Sequence, residues 1–569
     1  MEAKVMTNKR IVVIGGTAAG PKAAARAKRL DQSAEVVLLQ KAPELSMATC
    51  GYPYYVEGRF KEREKLLCTP TGVVRNVAFF AGAKGVEARV STEVTEINPI
   101  AKTVTARNLA TREEATFPYD KLILCTGSVP VAPAIPGRDL AGISGLNTLA
   151  EADALRAAAE EKAVKEAVVL GGGLIGVETA EALALAGIAV TLVERMPQIL
   201  CSLDIEIAKL AEAHMRAKGV KLITDCSVAE FLGRDGRVCG VRLSDGREIA
   251  AGMAVMATGI APNTALAKAA GLAIGETGGI AVDAHMRTSD PDIFAAGDCV
   301  EVVNRITGKK TLAPYGDLAN LEGRVAADNA VLGPTTVFPG TIDSGICKVF
   351  DFAAGSTGLS EARARAAGYD VAVAVNASPD KPDFMGACLL VSKIVADAKT
   401  GRVLGFQCVG PGSVSRQVAT AAAAITGGLT VDDMCMLDLP YAPPFSLAID
   451  HVIASAHILQ NKMRGLMKGV PATAVKAKLD AGESPFLLDV RAPDEYEQMR
   501  LGLGETLIPL GQLRRRLGEL PEETNREIVV YCKISMRGYE AQRVLEAKGY
   551  RNVLVMEGGI MAWPFAREK

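Results

Sequence analysis

Two stretches of the chain repeat one pattern: a short apolar run, a glycine-rich turn, an alanine-rich amphipathic segment and a second apolar run. The first follows Lys9-Arg10 and reads IVVI before Gly15-Gly16-Thr17-Ala18-Ala19-Gly20, then continues through Lys22 to Leu30 and Ala34 to Leu39. The second runs from Ala167 to Glu194, with Gly171-x-Gly173-x-x-Gly176 at its turn. Apolar runs closed by glycine predict strands, and the periodic segments after them predict helices. Each stretch therefore reads as a strand–turn–helix–strand unit of a parallel sheet. Two such units in one chain predict two bound nucleotides.

From about residue 330 to 455 the glycine turns stop and mixed strand and helix patterns take over. Residues 456–470, with Gln460, Asn461, Lys462 and Arg464, read as a polar connector. The last hundred residues form their own α/β pattern, with strands predicted at Phe486 to Val490, Glu527 to Tyr531 and Asn552 to Met556. That length suffices for an independent domain. The predicted fold class is α/β. Residues 1–145 and 255–330 form one Rossmann-like domain, 146–254 a second, 331–455 an α+β domain, and 471–569 a small C-terminal α/β domain.

Composition narrows the function. The chain has 569 residues, enough for about four domains, and is 49% hydrophobic and 23% charged, which excludes wholesale disorder. Sixty-four Lys and Arg nearly cancel 65 Asp and Glu, and only 5% of residues are aromatic. Neither nucleic-acid coating nor base stacking fits that balance. The N-terminal MEAKVMTNKRIVVIGG has no apolar stretch of signal-peptide length. The longest uncharged run, Ile249 to Ala267, contains Gly252, Gly259, Pro262, Asn263 and Thr264 and reads as strand, turn and loop rather than a membrane span. Twelve Cys without CxxC pairs resemble neither a disulfide scaffold nor a zinc ribbon, so no metal is expected. A reduced, cytoplasmic setting is the expectation.

Backbone N–H groups at a helix N-terminus bind pyrophosphate, and glycines let the phosphates approach. Downstream, Cys125-Thr126-Gly127-Ser128-Val129-Pro130, the string MATGIAPN from Met256 and the string TSDPDIFAAGDC from Thr288 stand in order. Together these motifs resemble the pyridine nucleotide–disulfide oxidoreductases, over roughly residues 9 to 450. The resemblance implies FAD at the first turn, with Gly15, Gly16, Ala18, Gly20, Gln40, Thr126, Gly127, Gly297 and Asp298 as its contacts. Gln40 stands where an acid normally pairs with the ribose hydroxyls, which its amide can still hydrogen-bond. NAD(P)H is implied at Gly171, Gly173, Gly176, Glu194 and Gly259. Glu194 can bind both ribose hydroxyls and repel a 2′-phosphate, favouring NADH; Arg195 beside it leaves NADPH open.

Dithiol members of that family carry C-x4-C on the helix after the FAD unit. Here Ser46-Met47-Ala48-Thr49-Cys50-Gly51-Tyr52-Pro53-Tyr54-Tyr55 has a single Cys, with Tyr55 in the second place. The family's His-x4-Glu pair is absent from His214, His285, His451 and His457. A lone thiol beside a flavin suits sulfenate chemistry or a mixed disulfide with a small thiol. The S-x-x-x-C-G-x-P-Y string resembles the coenzyme A–disulfide reductases. That resemblance implies coenzyme A contacts from Ser46 and from Lys22, Arg26 and Arg29, which share one helix face; a solvated charged face explains the same three residues. Tyr441-Ala442-Pro443-Pro444-Phe445 matches the same subfamily, where the Tyr reaches across a homodimer interface toward the partner's cysteine. A second tyrosine of the relatives is missing from Asp383-Phe384-Met385-Gly386-Ala387.

Asp489-Val490-Arg491 to Glu495, Cys532-Lys533-Ile534-Ser535-Met536-Arg537 and Gly558-Gly559-Ile560-Met561-Ala562-Trp563 resemble rhodanese domains. A strand–loop–helix turn aims N–H groups at Cys532, and Arg537 adds positive charge, surroundings that favour a thiolate. The expected activity is NAD(P)H- and FAD-dependent reduction of small persulfides, polysulfides or coenzyme A disulfides through Cys50, with Cys532 and Arg537 handling sulfane sulfur and Tyr441 assisting at the leaving thiolate. Two alternatives stay open: an NADH oxidase or peroxidase using a cysteine sulfenate, and a sulfurtransferase with a regulatory flavoprotein half. Small thiol or persulfide substrates and a second copy of the chain are the expected partners, without nucleic acid or membrane insertion.

Overall fold

A computed structural model describes residues 9–161 and 164–569; the first residues of the N-terminal segment read above lie outside it. The chain divides into two compact units, residues 1–191 with 227–341, and residues 192–226 with 342–569.

In the first unit, IVVI forms the strand Arg10–Ile14, and the glycine turn leads directly into the helix Ala19–Leu30, three residues earlier than periodicity predicts. The sheet runs in the order Ile293–Ala295, Lys121–Leu124, Arg10–Ile14, Glu35–Leu39, Glu87–Arg89, all parallel. Its strands are apolar along their length, as a sheet covered on both faces requires. Ile11, Val13, Leu38, Leu122, Ile123 and Leu124 form the floor of one continuous core. The second repeat gives the strand Glu166–Leu170 and the helix Leu174–Leu185. That strand pairs in parallel with Met253–Met256, which in turn pairs with Ile143–Ser144. The uncharged run near Ile249 breaks into short strands and the helix Ala265–Ala269. Among the described residues no helix is long and apolar enough to cross a membrane.

The second unit contains a five-stranded antiparallel sheet in the order Gly345–Val349, Phe352–Gly358, Val403–Gly410, Leu389–Asp397, Val371–Pro379. The helices Val414–Gly427 and His451–Met463 pack on it. The second helix corrects the expected connector at 456–470. Val452, Ala456 and Leu459 are buried at i, i+4 and i+7 on one face, and the helix runs through Gln460, Asn461 and Lys462 before ending at Met463. The C-terminal sheet runs Gly469–Val470, Val553–Met556, Ile528–Tyr531, Phe486–Asp489, Thr506–Leu507, all parallel. Apolar clusters lie on its two sides, one around Leu488, Val530 and Val555 and one around Tyr531, Ile560 and Trp563.

Candidate active sites

The two glycine turns are built alike. Gly15 and Gly171 each adopt φ +103°, and each is followed by a glycine against which it packs. A Cβ on Gly20 would lie 1.8 Å from the Gly15 carbonyl oxygen, and one on Gly176 would lie 1.9 Å from that of Gly171. Only glycine permits this approach of helix to strand. A Cβ on Gly173 meets nothing within 4 Å, so the middle of the second turn faces the open space a pyrophosphate needs. Thr17 at the equivalent place in the first turn is exposed. Both turns fit a dinucleotide.

Gln40 departs from expectation. Its Oε1 accepts the Gly16 N–H at 2.9 Å and its Nε2 donates to the Glu44 carbonyl at 3.2 Å. The amide braces the glycine turn instead of facing outward, because the buried Gly16 N–H needs an acceptor. Arg26 departs too. Its Nε donates to Asp328 at 2.5 Å in a half-buried ion pair, whereas Lys22 and Arg29 are exposed. The three bases share a helix, but one is committed to a carboxylate 302 residues away.

Around these turns, Thr126 Oγ1 donates to the Asn263 carbonyl at 2.6 Å, and the Asn263 N–H returns to the Gly127 carbonyl at 2.9 Å. Gly297 sits at φ +86°, ahead of Asp298. Asp298 accepts from Ser128 Oγ at 2.9 Å, and burial raises its carboxyl above the usual range. Beneath it Glu322, on the helix Gly316–Leu332, is 1% exposed and accepts the Gly297 N–H at 2.7 Å. Burial, reinforced by the charges of Asp298 and Asp317, pushes Glu322 up to about 8. Gly259 is at φ +108°, and its carbonyl accepts from the Val131 N–H.

Cys50 lies on the short 3₁₀ turn Thr49–Gly51, which leads into the helix Tyr52–Val56. The residue is exposed, yet enough protein surrounds its sulfur to raise the thiol above its ordinary range, first by desolvation and then by the charges of Glu178 and Asp298. Glu178, on the helix after the second glycine turn, also accepts from the Tyr54 hydroxyl at 3.3 Å. Cys50, the acid of the AAGD string and the second nucleotide helix therefore converge. Glu178 and Glu322 were not singled out from the sequence; a lone acid within a helix carries no spacing signal. Tyr55, in the second cysteine's place, is 7% exposed and donates to Asp153 at 2.9 Å, with the Arg156 guanidinium over its ring. All twelve cysteines are free. Ser46 is held at φ +53°, with its N–H on the Gly16 carbonyl at 2.7 Å.

In the second unit, Glu194 accepts the Met196 N–H at 2.7 Å and is half-buried. Tyr441 is exposed, as are the neighbouring Phe445 and the Phe384 that stands in the lost tyrosine's string.

The C-terminal site is assembled on the ends of parallel strands. Asp489 and Arg491 form a buried bidentate pair, and Arg491 also donates to the Glu495 and Met499 carbonyls. That strut carries Glu495, whose carboxylate takes both terminal nitrogens of Arg537 at 2.6 and 2.8 Å. The pairing holds Glu495 down at about 2 and raises Arg537, whose charge is also within electrostatic reach of the Cys532 thiol. Cys532 is 1% exposed. The closing string packs on its loop: Ile560 N–H donates to the Cys532 carbonyl at 2.9 Å, and a Cβ on Gly559 would lie 2.4 Å from that same oxygen. Among the described residues no group of three or more His, Cys, Asp or Glu is placed to hold a metal ion.

Residues 9–314 match the pyridine nucleotide-disulphide oxidoreductase family, 345–453 its dimerisation domain, and 471–565 the rhodanese-like domain. A solved NAD-dependent persulfide reductase from A. fulgidus superposes with a TM-score of 0.92 at 40% identity, covering 97% of this chain and all of that one. The reduced Bacillus anthracis CoADR-RHD superposes at 0.89 with 35% identity, covering 98% of each. The CoA-dependent NAD(P)H sulfur oxidoreductase of Pyrococcus furiosus is 36% identical over 457 residues, 80% of this chain and 100% of its own length.

Proposed function

The chain belongs to the pyridine nucleotide-disulphide oxidoreductase family and ends in a rhodanese-like domain, and from that premise we propose that it reduces small persulfides, polysulfides or coenzyme A disulfides with NAD(P)H. The observation that carries the reading is the lone thiol of Cys50, exposed and within electrostatic reach of Asp298 and Glu178, with Tyr55 where a resolving cysteine would stand. With Tyr55 at that place, the sulfur that Cys50 captures does not come from a resolving cysteine five residues along the chain.

FAD, when bound, supplies the two-electron link between NAD(P)H and sulfur. Gly15, Gly16, Ala18, Gly20, Thr126, Gly127, Gly297 and Asp298 hold it; Gln40 contributes by fixing the Gly16 peptide. Gly171, Gly173, Gly176, Glu194 and Gly259 hold the nicotinamide nucleotide, with the carboxylate of Glu194 preferring free ribose hydroxyls and hence NADH. Cys50 Sγ attacks a sulfur of the substrate, a new S–S bond forms on the protein, and hydrosulfide or a thiol leaves with the electron pair of the bond that breaks. Ser46, Lys22 and Arg29 meet the substrate's polar groups, the two bases being exposed. Arg26 supports that helix through Asp328. Tyr441 serves the leaving thiolate of a second copy of the chain in a homodimer. Residues 1–145 and 255–330 form the FAD domain and 146–254 the nicotinamide domain. The proposed setting is the cytoplasm.

Cys532 takes sulfane sulfur as a persulfide, and Arg537 balances the charge. The test is NADH consumption on a panel of polysulfide, coenzyme A persulfide, coenzyme A disulfide, peroxide and oxygen. Turnover on the sulfur compounds at least tenfold above that on oxygen and peroxide is expected; the reverse ranking would establish an oxidase.

A further inference from the structure

We propose that Ser535 is the hydrogen-bond donor that holds the outer sulfur of a persulfide on Cys532; the inference rests on the reading of Cys532 as a sulfur carrier. Ser535 lies three residues after Cys532 and two before Arg537, at the N-cap of the helix Met536–Glu546. Serine is favoured at this position because its hydroxyl accepts a first-turn N–H. Ser535 makes no such bond. Its Oγ is buried without a hydrogen-bond partner, in a residue that is 4% exposed. Its backbone is held at φ +90°, a conformation that favours glycine.

Strain and an unpaired buried hydroxyl therefore fall on one residue, and glycine would remove both. A hydroxyl kept at that cost within a nucleophile's loop fits a ligand that is present for only part of the cycle. The groups around it select the class. Arg537 already gives both terminal nitrogens to Glu495, so its hydrogen-bonding capacity is committed and the loop's own hydroxyl is left as a donor for a bound sulfur. A buried, unpaired O–H three residues after the nucleophile suits a single soft anion, the outer sulfur of Cys532–S–S⁻.

The full-length protein is equilibrated with thiosulfate and sulfite at a fixed ratio. Cys532 thiolate attacks the sulfane sulfur of thiosulfate, a new S–S bond forms, and the broken bond's electron pair leaves on sulfite, with no net oxidation. Intact-protein mass gives the fraction carrying one extra sulfur. The loading equilibrium constant is expected to fall about tenfold in both Ser535→Ala and Ser535→Gly, the loss of one hydrogen bond to a charged group. Ser535→Gly is expected to melt no lower than the wild type, because it relieves the left-handed backbone. A purely structural hydroxyl would lower the melting temperature without moving the loading equilibrium. Wild-type loading in Ser535→Gly overturns the proposal. Loading that persists in Cys532→Ser overturns instead the reading of Cys532 as the carrier.

Discussion

The two sulfurs assigned chemistry in this chain sit in opposite surroundings. Cys50 is exposed, and its charged neighbours, Glu178 and Asp298, oppose a thiolate. Cys532 is buried, within electrostatic reach of the Arg537 guanidinium, and its own carbonyl is pinned by the Ile560 N–H. Two carboxyls, one in each unit, differ in the same sense. Glu322 is pushed up to about 8 by burial and by the charges of Asp298 and Asp317, whereas Glu495 holds Arg537 and is pushed down to about 2. The C-terminal site carries its own counter-charge in the protein. The Cys50 site does not, and its residues are arranged around a place for a dinucleotide.

The contrast breaks most readily at Arg537. Arg537→Ala removes the cation from Cys532 and strands Glu495; thiosulfate-to-cyanide sulfur transfer is expected to fall ~10²-fold, the usual loss for one preorganised donor. Arg537→Lys rescues it poorly, because an ammonium cannot replace the planar fork.

The two carboxyls give pH dependences of opposite sign. Glu322 is raised in the folded state, so it favours folding below about pH 4.5, and that contribution is lost as the pH climbs toward 8. Glu495 is depressed, so its contribution is present above about pH 4.5 and lost as the pH falls toward 2. Each shift corresponds to roughly 3–5 kcal/mol at most, and to less for the partly solvated Glu495 pair. Glu322→Gln, which keeps an acceptor for Gly297, is expected to raise the melting temperature at pH 8 and to leave it nearly unchanged at pH 5. Thermal melts at the two pH values check this; equal shifts would contradict it.

The smallest effect lies at Cys50 itself. Glu178→Gln deletes one of the two charges that raise its thiol. Iodoacetamide alkylation of Cys50 at pH 8 is expected to quicken about threefold, because a larger fraction of the thiol is then ionised. An unchanged or slower rate would remove Glu178 from the site.

Much of this arrangement was legible in the sequence wherever chemistry forces a spacing. Gly15 and Gly20, like Gly171 and Gly176, stand five apart because helix and strand must touch there, and the Cys532-to-Arg537 loop is fixed by its length. Partnerships across the chain were not legible. Arg26 pairs with Asp328, and Glu322 reaches back to Gly297, over separations that no local period records. Gln40 carried an ambiguous signal: its amide suits a ribose hydroxyl and a backbone N–H equally, and the buried Gly16 peptide claimed it. The C-terminal end of the helix His451–Met463 was hidden because Gln460, Asn461 and Lys462 are contiguous in sequence, whereas all its buried residues lie at or before Leu459.

The central claim is that reduction runs through Cys50 and sulfur carriage through Cys532. NADH consumption with soluble coenzyme A persulfide, measured in Cys50→Ser and Cys532→Ser side by side, tests it most directly. The account predicts a loss of ~10³-fold or more in Cys50→Ser, as for removal of a covalent nucleophile, and a rate within about twofold of wild type in Cys532→Ser. Full activity in Cys50→Ser, or its abolition in Cys532→Ser alone, would contradict it.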